Sequence, residues 1–212
     1  MTMRSSTGSF LTRNLPWTAF AASAMLLGSE AASALGVPLN RSLSQRLLLQ
    51  VENGPWLALR PSGNSCPKLY MLDSRSCPYC QAFMKRDYQA FEQAGYDVRI
   101  HYAAVARENA GTLAEIALRR DIRALLNYQL ADRPITGPDP TIAGGRRLDA
   151  LNAMIETTKA IGAASRAAGY SAYLPTFIWR DKQDQWRIAS GLDDKTASQL
   201  RASLPVPSSA CR

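Results

Sequence analysis

The feature that most constrains this 212-residue chain is the tetrapeptide Cys77-Pro78-Tyr79-Cys80. Two cysteines separated by two residues can close a small disulfide ring when the first precedes a helix and the second lies in its first turn. Residues 69–72 form a short β-prone run upstream, and apolar residues recur at helical spacing from Cys80 to Phe91. Gly95 is a natural end for that helix. The sequence therefore predicts the motif at a junction between a strand and a helix.

This placement predicts different roles for the two cysteines. The N-terminus of a helix presents unpaired N–H groups and a partial positive charge, which stabilise a thiolate. Pro78 suits the first helical position, where an N–H group is not needed. Cys77 is then the exposed nucleophile with a lowered pKa, and Cys80 is the more buried resolving thiol. Attack by Cys77 on a disulfide would give a mixed disulfide that Cys80 releases.

Two structural alternatives to redox chemistry remain for the motif. The pair could form a purely structural disulfide, or it could supply half of a zinc site. A zinc site needs two more ligands, and the other cysteines and histidine of the chain are Cys66, Cys211 and His101. His101 lies in the strand-like run 98–102, and we expect it to have no catalytic duty. We expect neither a metal nor a cofactor.

Residues 1–34 have the pattern of a secretory signal peptide. Arg4 and Arg13 precede and border an uncharged stretch over residues 14–29, and Ala32-Ser33-Ala34 is a small-x-small cleavage site. An uncleaved N-terminal anchor is the alternative. The sequence thus predicts a periplasmic protein cleaved near Ala34, with no membrane insertion of the mature chain. Export to an oxidising compartment favours disulfide chemistry over a structural zinc site.

The net charge of +8 does not indicate a nucleic-acid partner, because the basic residues are dispersed and not interleaved with aromatic residues.

Residues 35–65 are interpreted as an arm of limited core potential, with a hairpin or a single strand around the turn at 53–55. Residues 66–212 form the main domain, in which a helical block at about 106–168 is too long for a simple crossover and is expected to sit on top as an insertion. A hairpin (173–179 with 185–188) and a final helix, capped by Asp193 or Asp194, complete it. The class is α/β, with a mixed sheet flanked by helices.

With these features together, the chain resembles the thioredoxin superfamily, and in layout it is most similar to the catalytic domain of the periplasmic DsbC/DsbG disulfide isomerases. The resemblance rests on the Cys-Pro-Tyr-Cys motif after a strand, the helical insertion, and Leu174-Pro175-Thr176 entering a later strand. It implies that Pro175 is a cis-proline opposite the motif. It also implies that Leu174 and Thr176 border a substrate groove in which the Leu174 backbone pairs with an extended substrate. An ordinary trans-proline is the alternative.

The resemblance implies an exported thiol–disulfide oxidoreductase of the isomerase or reductase type. Its partners would be disulfide-containing protein substrates and a recycling redox partner, for example a membrane reductase. Leu174 is bulkier than the Thr or Val usual before this proline, and residues 35–65 are too few for the isomerases' dimerisation domain and linker helix. A DsbA-like dithiol oxidase, or a non-catalytic binding module of a secretion or conjugation system, remain as alternatives.

The thioredoxin-like layout also implies a partner for the remaining cysteines. Cys66 precedes the strand that leads to the motif, and Cys211 follows the final helix by a short tail. Both are expected at the pole opposite Cys77, where they would form a structural disulfide. Free or intermolecular thiols are the alternative.

Overall fold

The computed structural model describes residues 36–62, 65–103, 110–131, 139–171, 174–193 and 195–211. The predicted signal peptide, residues 1–34, lies outside these ranges. The strands are β1 (Val37–Pro38), β2 (Lys68–Asp73), β3 (Asp97–Tyr102), β4 (Thr176–Arg180) and β5 (Trp186–Ser190). The helices are α1 (Arg41–Asn53), α2 (Pro78–Arg86), α3 (Tyr88–Gln93), α4 (Ala110–Arg119), α5 (Ile122–Leu130), α6 (Gly144–Ala167) and α7 (Thr196–Ser203), and a 3₁₀ turn covers Ser209–Cys211.

The strands form one mixed sheet in the order β1-β5-β4-β2-β3. β2 and β3 are parallel, with Leu72 opposite His101, as a strand–helix–strand unit requires. β4 lies antiparallel to β2 and forms a hairpin with β5. The mixed sheet flanked by helices that the sequence predicted is confirmed.

Alternation along the strands divides the core between the two faces of the sheet. Met71 and Phe177 point to the face covered by α2, α3 and α7, where they join the larger apolar cluster. Tyr70 and Ile178 point to the opposite face, where α1 and α6 contribute the other buried side chains. The central strands are therefore buried on both faces, which explains their nearly continuous apolar sequences.

The hairpin predicted around residues 53–55 is wrong, because residues 41–53 form helix α1, and the second apolar run of the arm, residues 56–59, contributes an isolated antiparallel bridge from Leu57 to Ile100. The Asn40 side chain caps α1 by accepting a hydrogen bond from the Leu43 N–H at 2.8 Å. Leu47 and Val51, four residues apart, are buried against the sheet. In the sequence, the run Leu47-Leu48-Leu49 obscured the four-residue spacing of these two buried positions.

The helical block does more than sit on top of the domain. Arg120, with φ of 54°, separates α4 from α5, and the Asp121 carboxylate caps α5 by accepting from the Ala124 N–H at 3.0 Å. The last part of α6 packs on the sheet through Ile161 and Ala164, so α6 is one of the two helices that cover this face. Residues 132–138, inside the predicted helical block, lie outside the described ranges.

The helix that follows the motif is also shorter than expected. It breaks at Asp87 into α2 and α3, and the chain leaves α3 through Gly95, whose φ is 95°. Only a residue without a side chain adopts that conformation readily.

Within the described ranges, no helix has both the length and the apolar character needed to cross a bilayer.

Candidate active site

The motif lies where β2 gives way to α2. Cys77 is the N-cap of α2, and its Sγ accepts a hydrogen bond from the Cys80 N–H at 3.1 Å. Pro78 occupies the first turn, where its missing N–H leaves no gap in the hydrogen bonding. Cys77 and Cys80 are joined by a disulfide with their Cα atoms 5.2 Å apart. The structure therefore describes the oxidised form of the dithiol.

The residues of the motif differ in their access to solvent. The sequence predicted an exposed Cys77, but in this disulfide-bonded form Cys77 is buried with 7% exposure, and Cys80 is at 0%. Tyr79, between them, is 59% exposed. Cys77 is therefore the more accessible of the two sulfurs by a small margin.

The loop 74–76, which leads to Cys77, is held by three side chains. The Tyr102 hydroxyl accepts from the Arg75 N–H at 2.7 Å, and the Gln81 side-chain amide donates to the Arg75 carbonyl at 2.8 Å. The Arg75 guanidinium lies over the Tyr128 ring, 4.4 Å from its centre. The sequence did not indicate these residues as part of the site, because β3, α2 and α5 supply them from distant positions. Their effect is to fix the backbone that presents Cys77.

Asp73 is the last residue of β2, one residue beyond the predicted β-prone run 69–72, and is fully buried. Its Oδ1 accepts a hydrogen bond from the Gln129 side-chain amide at 2.8 Å. Burial raises the pKa of the Asp73 carboxyl to about 7, against the opposing effect of hydrogen bonds from Gln129 and Ser74. A carboxyl group with this pKa exists in both protonation states near neutral pH.

The start of β4 lies at the same end of the sheet as the motif. Thr176 pairs with Leu72 near the end of β2, and the Leu174–Pro175 peptide bond immediately before it is cis. The Pro175 carbonyl accepts from the Gly191 N–H at 2.8 Å, which ties this turn to the residue after β5. The order of elements is a strand, a helix that begins with Cys-x-x-Cys, a parallel strand and an antiparallel hairpin. The hairpin is entered through a cis-proline, and together these features define a known fold. The fold is thioredoxin-like.

In this thioredoxin-like domain, the side chains of Leu174 and Thr176 are more buried than expected for residues that border a groove. Leu174 is partly buried and packs against both apolar clusters. Thr176 is buried, and its hydroxyl lies 2.9 Å from that of Ser190, which in turn lies 2.7 Å from the Ser165 hydroxyl on α6. This chain of hydroxyl groups anchors the cis-proline turn to β5 and α6.

The other two cysteines lie at the opposite pole. Cys66 precedes β2 and is disulfide-bonded to Cys211, with Cα atoms 5.7 Å apart. Five residue steps along β2 separate this pole from the motif end, a distance of about 17 Å. The second disulfide is therefore remote from Cys77.

His101 lies in β3 and points to the sheet face away from α2. Its ring centre is 6.2 Å from that of Tyr70, and its side chain is buried. Burial lowers its pKa to about 4, so the imidazole is neutral at physiological pH. Among the described residues, no group of three or more His, Cys, Asp or Glu side chains is arranged to hold a metal ion.

Comparison with known proteins gives similarity only at the level of structure. No protein-family model matches the chain, and no curated protein sequence matches it. Similar solved structures include ScsC from Proteus mirabilis in a compact conformation, at 16% identity, 84% coverage of both chains and a TM-score of 0.47. The thiol-disulfide exchange protein alpha-DsbA2 from Wolbachia pipientis is similar at 14% identity, with 76% of this chain and 95% of that chain covered and a TM-score of 0.47. A periplasmic thioredoxin-like protein from Salmonella enterica serovar Typhimurium is similar at 14% identity, with coverage of 74% and 92% and a TM-score of 0.46.

Proposed function

We propose that this protein is an exported thiol–disulfide oxidoreductase that exchanges electrons between its Cys77–Cys80 dithiol and disulfide-containing proteins. The observation that carries the proposal is the position of the two cysteines on α2. Cys77 caps the helix and keeps 7% exposure, and Cys80 is fully buried one turn further on. This is the arrangement in which one thiol reacts with an outside disulfide and the other resolves the product.

In the reducing direction, the Cys77 thiolate attacks one sulfur of a substrate disulfide. A Cys77–substrate disulfide forms, the substrate disulfide breaks, and the departing substrate thiolate takes up a proton. Cys80 then loses its proton and attacks Cys77 Sγ, which releases the second substrate thiol. The substrate gains two electrons and two protons, and the Cys77–Cys80 disulfide is formed. The Cys80 N–H that donates to Cys77 Sγ at 3.1 Å stabilises the thiolate on which the first step depends.

The cis-proline turn offers a place for the substrate backbone. In the part of the chain that the structure describes, the N–H and C=O of Leu174 make no backbone hydrogen bond. Both groups lie at the end of the sheet where the motif is located. An extended substrate segment that pairs with Leu174 would bring its disulfide beside Cys77.

We further propose that the protein works in the periplasm as a DsbC/DsbG-like reductase or isomerase, and that a redox partner, such as a membrane reductase, returns it to the dithiol form. A DsbA-like oxidase would use the same residues in the opposite direction. The Cys77–Cys80 reduction potential, measured in a glutathione series, separates the two. A potential near that of thioredoxin supports a reductase, and one near that of DsbA favours an oxidase over a reductase.

The general proposal is tested by insulin reduction and by refolding of scrambled ribonuclease. We expect activity from the wild-type protein and none from Cys77→Ser. The matched control is the double variant Cys66→Ser/Cys211→Ser, which removes the remote disulfide and is expected to keep the activity. A folded wild-type protein without activity in either assay would favour a non-catalytic binding module instead.

The separate roles of the cysteines give a second prediction. Cys80→Ala is expected to accumulate mixed disulfides with substrate proteins, because the resolving thiol is missing, and Cys77→Ala is expected to accumulate none. In single-cysteine variants, iodoacetamide should modify Cys77 faster than Cys80 at every pH below about 8, where ordinary thiols are mostly protonated. Faster modification of Cys80 would reverse the assignment.

A further inference from the structure

The chain enters α2 through a turn that is tied to other elements. The Cys77 N–H donates to the Ser74 carbonyl at 3.1 Å, which closes a four-residue turn. Arg75 is the second residue of this turn, and both of its backbone groups are bonded to side chains from outside it. Its N–H donates to the Tyr102 hydroxyl at 2.7 Å, and its carbonyl accepts from the Gln81 side-chain amide at 2.8 Å. The position of Cys77 therefore depends on contacts with β3 and α2 as well as on the turn.

Gln81 is bonded to the chain on both sides of Cys77. Its backbone N–H donates to the Cys77 carbonyl at 3.1 Å, and its side-chain amide reaches back to the carbonyl of Arg75. Any residue other than proline can make the first bond, but the second needs a side chain with an N–H donor and the length of glutamine. Gln81 is partly buried, where a hydrogen bond is stronger than in open solvent. The exchange steps described above do not use this side chain.

The bonds of Gln81 matter most in the dithiol form. In the oxidised form the disulfide itself links Cys77 to α2. Reduction breaks this link, yet exchange starts from the Cys77 thiolate, which is stabilised by the Cys80 N–H that lies 3.1 Å from its Sγ. A turn that moved away from α2 would lengthen this hydrogen bond and destabilise the thiolate. The Gln81 side chain resists that movement, because it joins the turn to the helix directly.

We propose that Gln81 is a positioning residue, which holds the Cys77 thiolate at the start of α2 after the disulfide has opened, with Tyr102 supporting the turn from β3. The inference rests on the proposed exchange function and deepens it, since it makes the reactivity of the nucleophile depend on a side chain outside the Cys-Pro-Tyr-Cys motif. Gln81 acts through the backbone of the turn and exchanges no proton or electron.

The first test measures the pKa of Cys77. Gln81→Met keeps the length and the helix propensity of the side chain and removes its N–H donor. It is made in a Cys80→Ala background, which leaves Cys77 as the thiol of the motif and retains the backbone N–H at position 80. The thiolate absorbance against pH should show the Cys77 pKa raised by about half a unit to one unit, the size expected for the loss of one hydrogen bond. An unchanged pKa would overturn the proposal.

The second test measures the reactivity of Cys77 against pH. A thiolate of higher pKa is less abundant below that pKa but more nucleophilic, with a Brønsted coefficient of about 0.4–0.5. With dithiodipyridine, the second-order rate constant of Gln81→Met should therefore be about two to three times lower than that of the background protein at pH values below both pKa values, and about two to three times higher above them. A fall of equal size at every pH would indicate a general loss of structure and overturn the positioning role.

Two further variants complete the comparison. Gln50→Met is the matched control, because Gln50 is exposed on α1, which covers the opposite face of the sheet, and it should leave both measurements unchanged. Tyr102→Phe removes the acceptor of the Arg75 N–H and should also raise the Cys77 pKa, so it carries the test if Gln81→Met does not fold. Because Gln81 and Tyr102 hold the same residue, their effects on the pKa should be non-additive. Strictly additive effects would overturn their shared role.

Insulin reduction by the wild-type protein tests the exchange function separately. A raised Cys77 pKa in Gln81→Met, together with no insulin reduction by the wild-type protein, would reject the exchange function and keep the role of Gln81. Insulin reduction with an unchanged pKa would reject the role of Gln81 and keep the exchange function.

Discussion

Asp73 and His101 show how burial acts on single residues in this protein. Each lies in a strand of the sheet, and burial favours the neutral form of each. The pKa of Asp73 is raised to about 7, whereas that of His101 is lowered to about 4. Their effects on stability therefore have opposite dependences on pH. His101 reduces stability as the pH falls from 6.5 towards about 4, because the unfolded chain then binds the proton more readily.

For Asp73 the sign is the reverse. The folded state binds the proton more tightly than the unfolded state, so stability falls as the pH rises from 3.8 to about 7. The rise from 3.8 to about 7 is about 3 pKa units, so at about 1.4 kcal/mol per unit Asp73→Asn is expected to raise the free energy of unfolding near pH 8 by roughly 4 kcal/mol. Below about pH 3 the two proteins should be equally stable, because the carboxyl is then neutral in both states.

Urea unfolding at several pH values measures this difference. The control is Asp149→Asn, at an exposed position in α6, which should change stability by less than about 0.5 kcal/mol throughout. An Asp73→Asn protein that is less stable than wild type near pH 8 would show that the ionised carboxylate makes a favourable contact in the fold.

At the scale of elements, α1 is bound to the sheet by both apolar and polar contacts. Glu52 accepts from Lys68 Nζ at 2.7 Å and from Arg99 at 2.6 Å, and it also accepts from the Tyr70 hydroxyl. Burial alone would raise its pKa, but the hydrogen bonds from Lys68 and Tyr70 and the charge of Arg99 outweigh that effect and lower it. After α1, the guanidinium groups of Arg99 and Arg120 both lie over the Trp56 ring, 4.1 Å and 4.0 Å from its centre. The arm is therefore an integral layer of the domain.

Two leucines of α1 test this conclusion with matched substitutions. Leu47 is 2% exposed and packs on the sheet, whereas Leu49 is 64% exposed. Leu47→Ala is expected to lower the free energy of unfolding by about 2–4 kcal/mol, through lost apolar burial and the cavity that remains. Leu49→Ala should change it by less than about 0.5 kcal/mol. Denaturant unfolding measures both, and equal effects would mean that α1 does not pack as described.

At the scale of the whole molecule, the two disulfides occupy opposite ends of β2 and have separate consequences. Cys77–Cys80 lies at the end where Pro175 enters β4 and where substrate would approach. Cys66–Cys211 joins the start of the sheet to the C-terminal turn and closes a sequence separation of 145 residues. A cross-link over so long a loop acts mainly on the unfolded chain.

The double variant Cys66→Ser/Cys211→Ser should therefore lose stability and keep its chemistry. In the chain-entropy model, a loop of this length contributes roughly 4–5 kcal/mol. We expect a loss of that order in denaturant unfolding, with an unchanged reduction potential for Cys77–Cys80. Non-reducing peptide mapping of the exported wild-type protein provides the direct check on the pairing. Recovery of Cys66 linked to Cys77 or Cys80 would contradict it.

The sequence by itself determined the features that depend on short-range patterns. The Cys-x-x-Cys spacing with Pro78 placed a dithiol at a helix start, and β-prone runs separated by a turn predicted the β4–β5 hairpin. Such signals are local, because caps, turns and alternation involve residues that are neighbours in the chain. The opposite-pole position of Cys66 and Cys211 followed from the order of elements once the layout was known.

Only the tertiary structure decided which local preference prevailed and what surrounds the motif. Residues 41–53 form a helix in which Leu47 and Val51 pack against a face of the sheet. This contact joins segments that are distant in the chain, so no local pattern reveals it. Buried Asp73 is hydrogen-bonded by Gln129, 56 residues away, and Tyr102 from β3 and Tyr128 from α5 both contact the loop at Arg75. These features depend on contacts between distant segments, whose free energy is gained only when the whole chain has folded.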